Sequence, residues 1–161
     1  MSEADIPRCY SAHMDLRVAA YAVITDDSGR MLLPHWHVNG DAKGWTLPGG
    51  GLDPGEDPAD GVVREVFEES GYEVEVEELL GIDNFIIPGD RRMHADQLGT
   101  PLQNLRIIYR ARITGGAMRV ETGGSTDDVS WFTQEEIDGL YRVSLVDVGR
   151  RFAGLLTDAH R

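Results

Sequence analysis

Residues 49–72 read GGGLDPGEDPADGVVREVFEESGY, and this stretch decides how the fold is interpreted. Asp57 and Pro58 are typical of the N-cap and the first position of a helix, and Asp60 follows three residues after that cap. Gly71 is typical of the residue that ends a helix. The stretch therefore predicts a helix between Pro58 and Gly71.

The predicted helix has one apolar face and one acidic face. On a helical wheel with Glu65 at zero and about 100° per residue, Glu68 falls at about −60° and Glu69 at about 40°. The apolar residues fall between about 60° and about 200° and are Ala59, Val62, Val63, Val66 and Phe67. The helix is expected to bury one face and to gather three carboxylates on the other.

The three glutamates are close neighbours, and Arg64 is the nearby cation. Their repulsion costs roughly a few tenths of a kcal/mol per pair unless something neutralises it. A solvated acidic face is the ordinary explanation for glutamates on a surface helix. A divalent cation would neutralise them directly, and oxygen ligands without His or Cys favour Mg²⁺, with Mn²⁺ as a substitute, over zinc.

The same stretch resembles the Nudix box, which is written as Gly, five residues, Glu, seven residues, Arg-Glu-aliphatic-x-Glu-Glu-x-Gly-aliphatic. Its fixed places are filled at the required spacing by Gly50, Glu56, Arg64, Glu65, Val66, Glu68, Glu69 and Gly71. Tyr72 departs from the pattern at the last place, which affects packing more than chemistry. The specific match covers this window, and the strand order around it is compatible with the family over most of the chain.

The resemblance implies an α/β fold, the Nudix-type α/β/α sandwich with a mixed β-sheet, in which the box forms a loop, a helix and a loop. It also implies metal-dependent hydrolysis of a pyrophosphate bond. The substrate would be a nucleoside diphosphate linked to another moiety, either a nucleotide sugar such as ADP-ribose or a nucleoside triphosphate.

The resemblance further implies roles for the residues of the box. Glu69 is expected to bind the metal, with Glu65 and Glu68 as further ligands or as groups that orient water. The backbone carbonyl of Gly49 or Gly50 is expected to complete the metal shell. Arg64 and Glu56 are expected to brace the loops through charge-assisted hydrogen bonds, and Arg64, Glu65 and Glu68 are counted with the catalytic residues.

The base that activates water is less sharply defined by the sequence. Glu65 is the first candidate. Asp128, in the segment GGSTDDVSWF with Asp127 before it, resembles the place where many family members carry a glutamate ahead of an aromatic strand, although plain turn residues explain it equally well. Glu121 is a third and weaker candidate.

Substrate-binding residues are proposed from residue type. Arg17 and Arg106 are candidates for phosphate contacts, and Trp45 and Phe85 for stacking on a base, although aromatic residues in strands more often belong to the core. Pro88 follows Tyr72 by sixteen residues, as a proline does in members that act on ADP-ribose, and a turn explains it as well. The nonperiodic segment from Pro88 to Pro101 is a candidate substrate-covering loop.

The remainder of the chain reads as strands and one further helix. Arg17 to Thr25 and Arg30 to His37 are expected to form a hairpin around a turn at Asp26 to Gly29. The second helix is predicted from about Ser144 to Leu156. Further strands are predicted around Trp45 to Leu47, Glu73 to Ile87, Leu105 to Ile113 and Val129 to Phe132.

Composition bounds the class of protein. The 161 residues, 41% of them hydrophobic, predict a single domain over residues 1–161 with an ordered core from about 15 to 157. With 15 basic and 28 acidic residues the net charge is −13, so no nucleic-acid partner is expected. The single cysteine, Cys9, suits a reducing compartment, and the lack of a signal segment or of a run of about 18 apolar residues predicts a cytoplasmic protein without membrane contact.

Two other readings compete with hydrolysis. A Nudix-fold domain that binds or senses a nucleotide without turnover commonly loses box glutamates, whereas this chain retains every charged box position. Isomerisation of an isoprenoid diphosphate would need a catalytic cysteine in the body of the fold, and Cys9 is poorly placed for that. A homodimer is common in the family and is left open.

Overall fold

The computed structural model describes residues 13–38 and 40–156. The strands are β1 (Asp15–Ile24), β2 (Met31–Val38), β3 (Asp41–Trp45), β4 (Gly49–Gly51), β5 (Tyr72–Ile87), β6 (Leu102–Gly116) and β7 (Thr126–Phe132). The helices are α1 (Pro58–Ser70), α2 (Gln134–Asp138) and α3 (Ser144–Phe152). One sheet has the order β4-β1-β6-β5, and a second has the order β3-β2-β7. The first sheet is mixed, as predicted, because β1 runs parallel to β6 and antiparallel to β4.

Strand β1 is the centre of the fold because both of its faces are buried. Successive side chains of a strand point to opposite faces, and here Ala20 and Ala22 pack with α1 while Ala19 and Val23 belong to the cluster that includes residues of α3. The two helices therefore lie on opposite faces of the first sheet. This arrangement confirms the predicted α/β sandwich.

Helix α1 begins and ends where its sequence predicts. The Asp57 carboxylate accepts a hydrogen bond from the backbone N–H of Ala59, and Pro58 fills the first helical position, where its missing N–H costs nothing. At the other end Gly71 has φ of 77°, a left-handed conformation that favours glycine, and its N–H bonds to the carbonyl of Phe67. These caps fix the register of the three glutamates relative to the loop before the helix.

The predicted hairpin between the first two strands is wrong. The chain does turn after Asp26, whose carboxylate accepts hydrogen bonds from the backbone N–H groups of Ser28 and Arg30. However, only an isolated bridge joins Thr25 to Met31, and β1 and β2 belong to different sheets. Apolar composition marks both segments as strands but does not say which strand each one pairs with.

Other elements also differ from prediction. The strand expected at Trp45 to Leu47 ends at Trp45, and the next strand is the glycine segment β4, which glycine's weak strand preference hides from composition. Helix α3 ends at Phe152 rather than near Leu156. The short helix α2 was not predicted, although Thr133 and Glu136 form a capping box that marks its start.

The segment from 88 to 101 contains neither strand nor α-helix, in keeping with its nonperiodic sequence, but forms short 3-10 turns at Gly89–Arg91 and Ala95–Gln97. Cys9 lies outside the described residues, as does Thr157 at the predicted end of the core. Among the residues that the structure describes, none of the helices has the length and hydrophobicity needed to cross a bilayer.

Candidate active site

Arg64 joins the helix α1 to the loop before it. Its Nε donates to Oε1 of Glu56 at 2.7 Å, and its Nη2 donates to Oε2 of the same carboxylate at 2.9 Å. Nη2 also lies 3.3 Å from the carbonyl oxygen of Gly51. The paired geometry is the strong, directional form of a guanidinium–carboxylate contact. Arg64 therefore fixes the loop against the helix.

The charge on Glu56 is correspondingly well stabilised. The hydrogen bonds from Arg64, with a further one from the backbone N–H of Asp53, lower the pKa of Glu56 to about 2. The same contact raises the pKa of Arg64 above its ordinary value. Both groups stay ionised at neutral pH, so the expected bracing contact is present in the structure.

Glu65 and Glu68 share the remaining donor of the same arginine. Nη1 of Arg64 donates to Oε1 of Glu65 at 3.0 Å and to Oε2 of Glu68 at 3.2 Å. Burial raises the pKa of Glu65, an effect that Arg64 opposes and that the charges of Glu68 and Glu121 reinforce. The arginine thus holds two of the three glutamates in place.

Gly50 gives Glu65 its position because it has no side chain. A Cβ at Gly50 would lie 2.9 Å from both Cδ and Oε1 of Glu65, closer than real Cβ atoms approach a neighbour. Gly50 does not have the positive φ that only glycine tolerates well. The requirement for glycine at this place is therefore one of space beside a carboxylate.

Glu69 is the buried member of the cluster. The residue is only 7% exposed, and Oε2 accepts a hydrogen bond from the N–H of Gly49 at 3.2 Å. Burial raises the pKa of Glu69 well above its ordinary value, and the charges of Glu65, Glu121 and Glu68 act in the same direction. An anion held among anions in the protein interior is stabilised by a cation.

Glu121 is the residue outside the box that contributes charge to this cluster. It lies in the segment between β6 and β7, and the backbone N–H of Thr126 donates to its Oε2 at 3.4 Å. A side chain on Gly124 would overlap the Glu121 carboxylate. Glu121 was the weakest of the three base candidates from the sequence. Its charge nevertheless raises the pKa of both Glu65 and Glu69.

Asp128, which the sequence favoured over Glu121, has a hydrogen-bond partner outside this cluster. Its Oδ1 accepts a hydrogen bond from the N–H of Val129 at 2.7 Å, within its own strand. The preceding Asp127 lies 2.6 Å from Nδ1 of His35, a contact that lowers the pKa of the Asp127 carboxyl. A register shift at His35 leaves both aspartates near the same residue of β2.

The donor set suits a hard cation that binds only part of its shell to protein. In the described ranges, 13–38 and 40–156, no three His, Cys, Asp or Glu side chains already converge as a complete metal site. Mg²⁺ is ordinarily held by one or two carboxylates, with waters and substrate phosphates as the other ligands. Glu69 and Glu65, with the backbone carbonyl of Gly49 or Gly50 in β4, fit that requirement.

A second group of polar residues lies on the face of the first sheet opposite to α1. Register places Arg17 beside Asn104 and Ala19 beside Arg106, and in turn Asn104 beside Phe85. Nη1 of Arg17 lies 3.3 Å from Oδ1 of Asn104. Strand pairing thus brings together Arg17, Arg106 and Phe85, three of the four substrate-binding residues predicted from the sequence.

Arg106 is a buried charge with two partners. Its Nε donates to Oδ2 of Asp83 at 2.8 Å, and its guanidinium carbon lies 4.5 Å from the centre of the Phe85 ring. Phe85 is 39% exposed, so part of its ring remains open to a ligand. Sequence reasoning missed Asp83 and Asn104. The feature of the sequence that could have indicated Asn104 is a polar side chain immediately before a predicted strand, at a position that the structure shows to be buried.

Arg17 connects the two groups. Nη2 of Arg17 would lie 3.4 Å from a Cβ on Gly51, so the guanidinium rests against the backbone of the box loop. The predicted phosphate contact is therefore next to the predicted metal site.

Trp45, the fourth predicted substrate residue, lies apart from this face. Its ring packs edge-on against Phe132 with centroids 4.6 Å apart and against His35 at 5.1 Å. It lies partly buried at the border of the core cluster that contains Leu47. These contacts agree with the ordinary core role of an aromatic residue in a strand.

The comparisons with known proteins agree with this geometry. A sequence model of the NUDIX domain matches residues 15–151. A "MutT-like protein" from Streptomyces ambofaciens is 32% identical over 134 residues, which are 81% of this chain and 75% of that protein. A "Putative ADP-ribose pyrophosphatase YjhB" from Bacillus subtilis (strain 168) is 32% identical over 96 residues, 60% of this chain and 42% of that protein.

The fold itself also has close structural relatives. A NUDIX hydrolase from Nitrosomonas europaea superposes with a TM-score of 0.69 at 25% identity, over 87% of this chain and 89% of that one. Members of the family generally use divalent metal ions, in keeping with the carboxylates on α1. The braced box loop, the buried glutamate and the match over residues 15–151 together show that this chain belongs to the Nudix hydrolase family.

Proposed function

We propose that the chain is a Mg²⁺-dependent pyrophosphohydrolase that cleaves a nucleoside diphosphate linked to another group. The observation that carries the proposal is the environment of Glu69, a carboxylate buried beside Glu65 and within the influence of Glu121. Such a cluster is costly without a cation and useful with one.

The residues of the site divide the work. Bound Mg²⁺ would neutralise the phosphates and lower the pKa of a water. Glu69 and Glu65 would hold the cation, Arg64 keeps Glu65 and Glu68 in register, and a carboxylate of the cluster would take the proton of the attacking water. Glu65 and Glu121 are the two candidates for that base, since each lies in the cluster, and Asp128 becomes the weaker one.

Substrate recognition falls to the polar face of the first sheet. Arg17 would contact a phosphate, and the ring of Phe85, with the Arg106 guanidinium against it, would stack on a base. We favour nucleotide sugars, with ADP-ribose among them, over nucleoside triphosphates. The name of the Bacillus subtilis relative supports this choice, as does Pro88, sixteen residues after Tyr72. A cytoplasmic location and the absence of a nucleic-acid partner stay predictions.

The test is a panel of ADP-ribose, other nucleotide sugars, dinucleoside polyphosphates and nucleoside triphosphates, each with Mg²⁺, with Mn²⁺ and with EDTA. Release of nucleotide is measured for the wild type and for Glu69→Gln. Glu75→Gln is the matched control, because Glu75 forms an exposed ion pair with Arg112 away from the cluster.

Metal-dependent turnover of one substrate group, lost in Glu69→Gln and kept in Glu75→Gln, supports the proposal and names the subclass. Turnover that survives in EDTA contradicts the metal role. No turnover of any compound, with nucleotide still bound, favours the alternative of a nucleotide-sensing domain without catalysis.

A further inference from the structure

A pocket of about 500 Å³ lies at the end of the first sheet, beyond the polar face. The start of β1, the end of β5, the start of β6 and the segment 88–101 form its walls. Ligand sites commonly have volumes of roughly 300–1,000 Å³. The pocket is therefore large enough for one small organic group.

Arg92 builds the wall that the segment 88–101 contributes. Its Nη1 donates to Oδ2 of Asp15 and to the carbonyl of Thr100, both at 2.9 Å, and its Nη2 donates to Oε1 of Gln97 at 2.9 Å. The Arg92 side chain is only 7% exposed. A buried arginine with this many partners holds the segment in one arrangement, so the pocket is formed before any ligand arrives.

The pocket is connected to the box through Arg17. Arg17 lines the pocket and also rests against the backbone of Gly51. Ile87 and Leu102, which pair across β5 and β6, continue the face on which Phe85 and Asn104 lie. The pocket and the box loop therefore share Arg17 and lie along one face of the sheet.

The chemistry of the lining indicates what kind of group fits. Asp15, His94 and Gln97 offer a carboxylate, an imidazole and an amide, which suit the hydrogen bonds of hydroxyl groups. Leu16 and Met93 add apolar surface. Of the described residues that line the pocket, none is Phe, Tyr or Trp, the side chains on which a base stacks. The lining favours a saturated ring with hydroxyl groups over a nucleobase.

We propose that this pocket binds a hydroxyl-rich sugar ring of the substrate, an inference that rests on the proposed function. The ring comes either from the nucleoside or from the sugar joined to its second phosphate, and the chemistry of recognition is the same for both. Arg92 is a positioning residue in this scheme, since it orders the wall and Asp15 without reaching the reacting atoms.

The first experiment measures binding by calorimetry and needs no turnover. The probes are ribose 5-phosphate and AMP, which represent the two halves of ADP-ribose. Met93→Trp fills the pocket, and Leu98→Trp is the matched control, because both residues are exposed in the same segment but only Met93 lines the pocket. We expect Met93→Trp to lower the affinity for the probe that the wild type binds by about tenfold or more. Leu98→Trp should leave this affinity unchanged.

The probe whose affinity falls in Met93→Trp identifies the half of ADP-ribose from which the sugar ring comes. Equal binding to both tryptophan variants overturns the proposal, as does a wild type that binds neither probe. If the probes bind as expected while the substrate panel shows no hydrolysis, the proposed function fails and the sugar site stands.

A second experiment tests the hydroxyl groups themselves. The 2-deoxy form of the responding probe should bind the wild type about tenfold more weakly, because it lacks a hydroxyl group that the polar side chains of the pocket can hydrogen-bond. In Asp15→Asn that preference should shrink, since the amide lacks the negative charge and one of the two acceptor oxygens of the carboxylate and loses the ion pair to Arg92. An unchanged preference in Asp15→Asn, or none in the wild type, contradicts recognition by the pocket.

Discussion

Two arginines hold two loops in this protein, and they differ in how far along the chain they reach. Arg64 binds Glu56, eight residues away, and fixes the loop of the box. Arg92 binds Asp15, 77 residues away, and fixes the segment 88–101 at the end of the sheet. The first brace serves the reacting end of the site, and the second serves the proposed sugar pocket. Similar ion pairs therefore hold the box loop in one region and the wall of the proposed sugar pocket in the other.

The largest effect should follow from Glu69→Gln, which removes a charge from the catalytic region and keeps the shape. We expect turnover to fall on the order of 100-fold or more. Stability should hold or rise, since a buried carboxylate among other carboxylates is replaced by a neutral group. Steady-state kinetics with Mg²⁺ and a thermal melt measure the two effects. Near-wild-type turnover would remove Glu69 from the metal site.

Arg64→Ala and Arg92→Ala form a matched pair that separates the two regions. Arg64→Ala should lower kcat by about 10- to 100-fold, the range for residues that orient metal ligands. Arg92→Ala should leave kcat near its wild-type value and raise KM for substrates that carry the bound sugar. Each should lower Tm by about 2–8 °C, because each removes the anchor of a loop.

The kinetic split is the informative readout of that pair, since both variants lose stability. Loss of kcat in Arg92→Ala would place Arg92 in the chemistry. Loss of activity in Arg64→Ala with an unchanged Tm would argue that Arg64 acts on the reaction itself.

Gly50→Ala should move a carboxylate without unfolding the loop. The new methyl group would displace the end of Glu65, a flexible side chain, so we expect about a tenfold loss of kcat. The effect on Tm should be small. Gly139→Ala is the control, because a Cβ there meets only the carbonyl of Glu136, at an ordinary 3.6 Å. Equal kcat in the two variants would show that the position of Glu65 does not matter to turnover.

The smallest effect concerns pH and the loop brace. Glu56 has a folded pKa of about 2, below its ordinary value of 4.5, chiefly because Arg64 donates to it. Because the pKa of Glu56 is lower in the folded state, its ionisation stabilises the fold at pH values above the ordinary pKa. This contribution disappears as the pH falls through the folded pKa. Wild type should therefore melt higher than Glu56→Gln at pH 6, and the difference should shrink between pH 4.5 and about 2. A constant difference would assign the effect of Glu56 to packing.

The separation of two contacting residues along the chain also explains which contacts could be predicted from the sequence. The caps of α1 and the contact of Arg64 with Glu56 lie within one continuous stretch, so their spacing alone indicates them. The pairing of Arg17 with Asn104 depends on the parallel register of β1 and β6, which no local pattern specifies. The contact of Arg92 with Asp15 depends on that register as well.

The surroundings of the later carboxylates could not be predicted for a related reason. The register shift at His35 turns Asp127 toward that histidine and leaves Asp128 bonded to its own strand. Glu121 lies in a segment without periodic sequence, and its place beside the box is set by tertiary structure. The resemblance to the family indicated Asp128 because it precedes an aromatic strand, and it carried no information on either contact.

Gly50 and Gly124 have a consequence for how this protein tolerates mutation. Each leaves space for a glutamate carboxylate, and neither needs the positive φ that would make other residues costly in themselves. In a library of substitutions at these two positions, a screen for soluble protein would pass several small residues that a screen for turnover would reject. Substitutions that pass the first screen and fail the second would identify glycines that are needed for the empty space beside them rather than for backbone freedom.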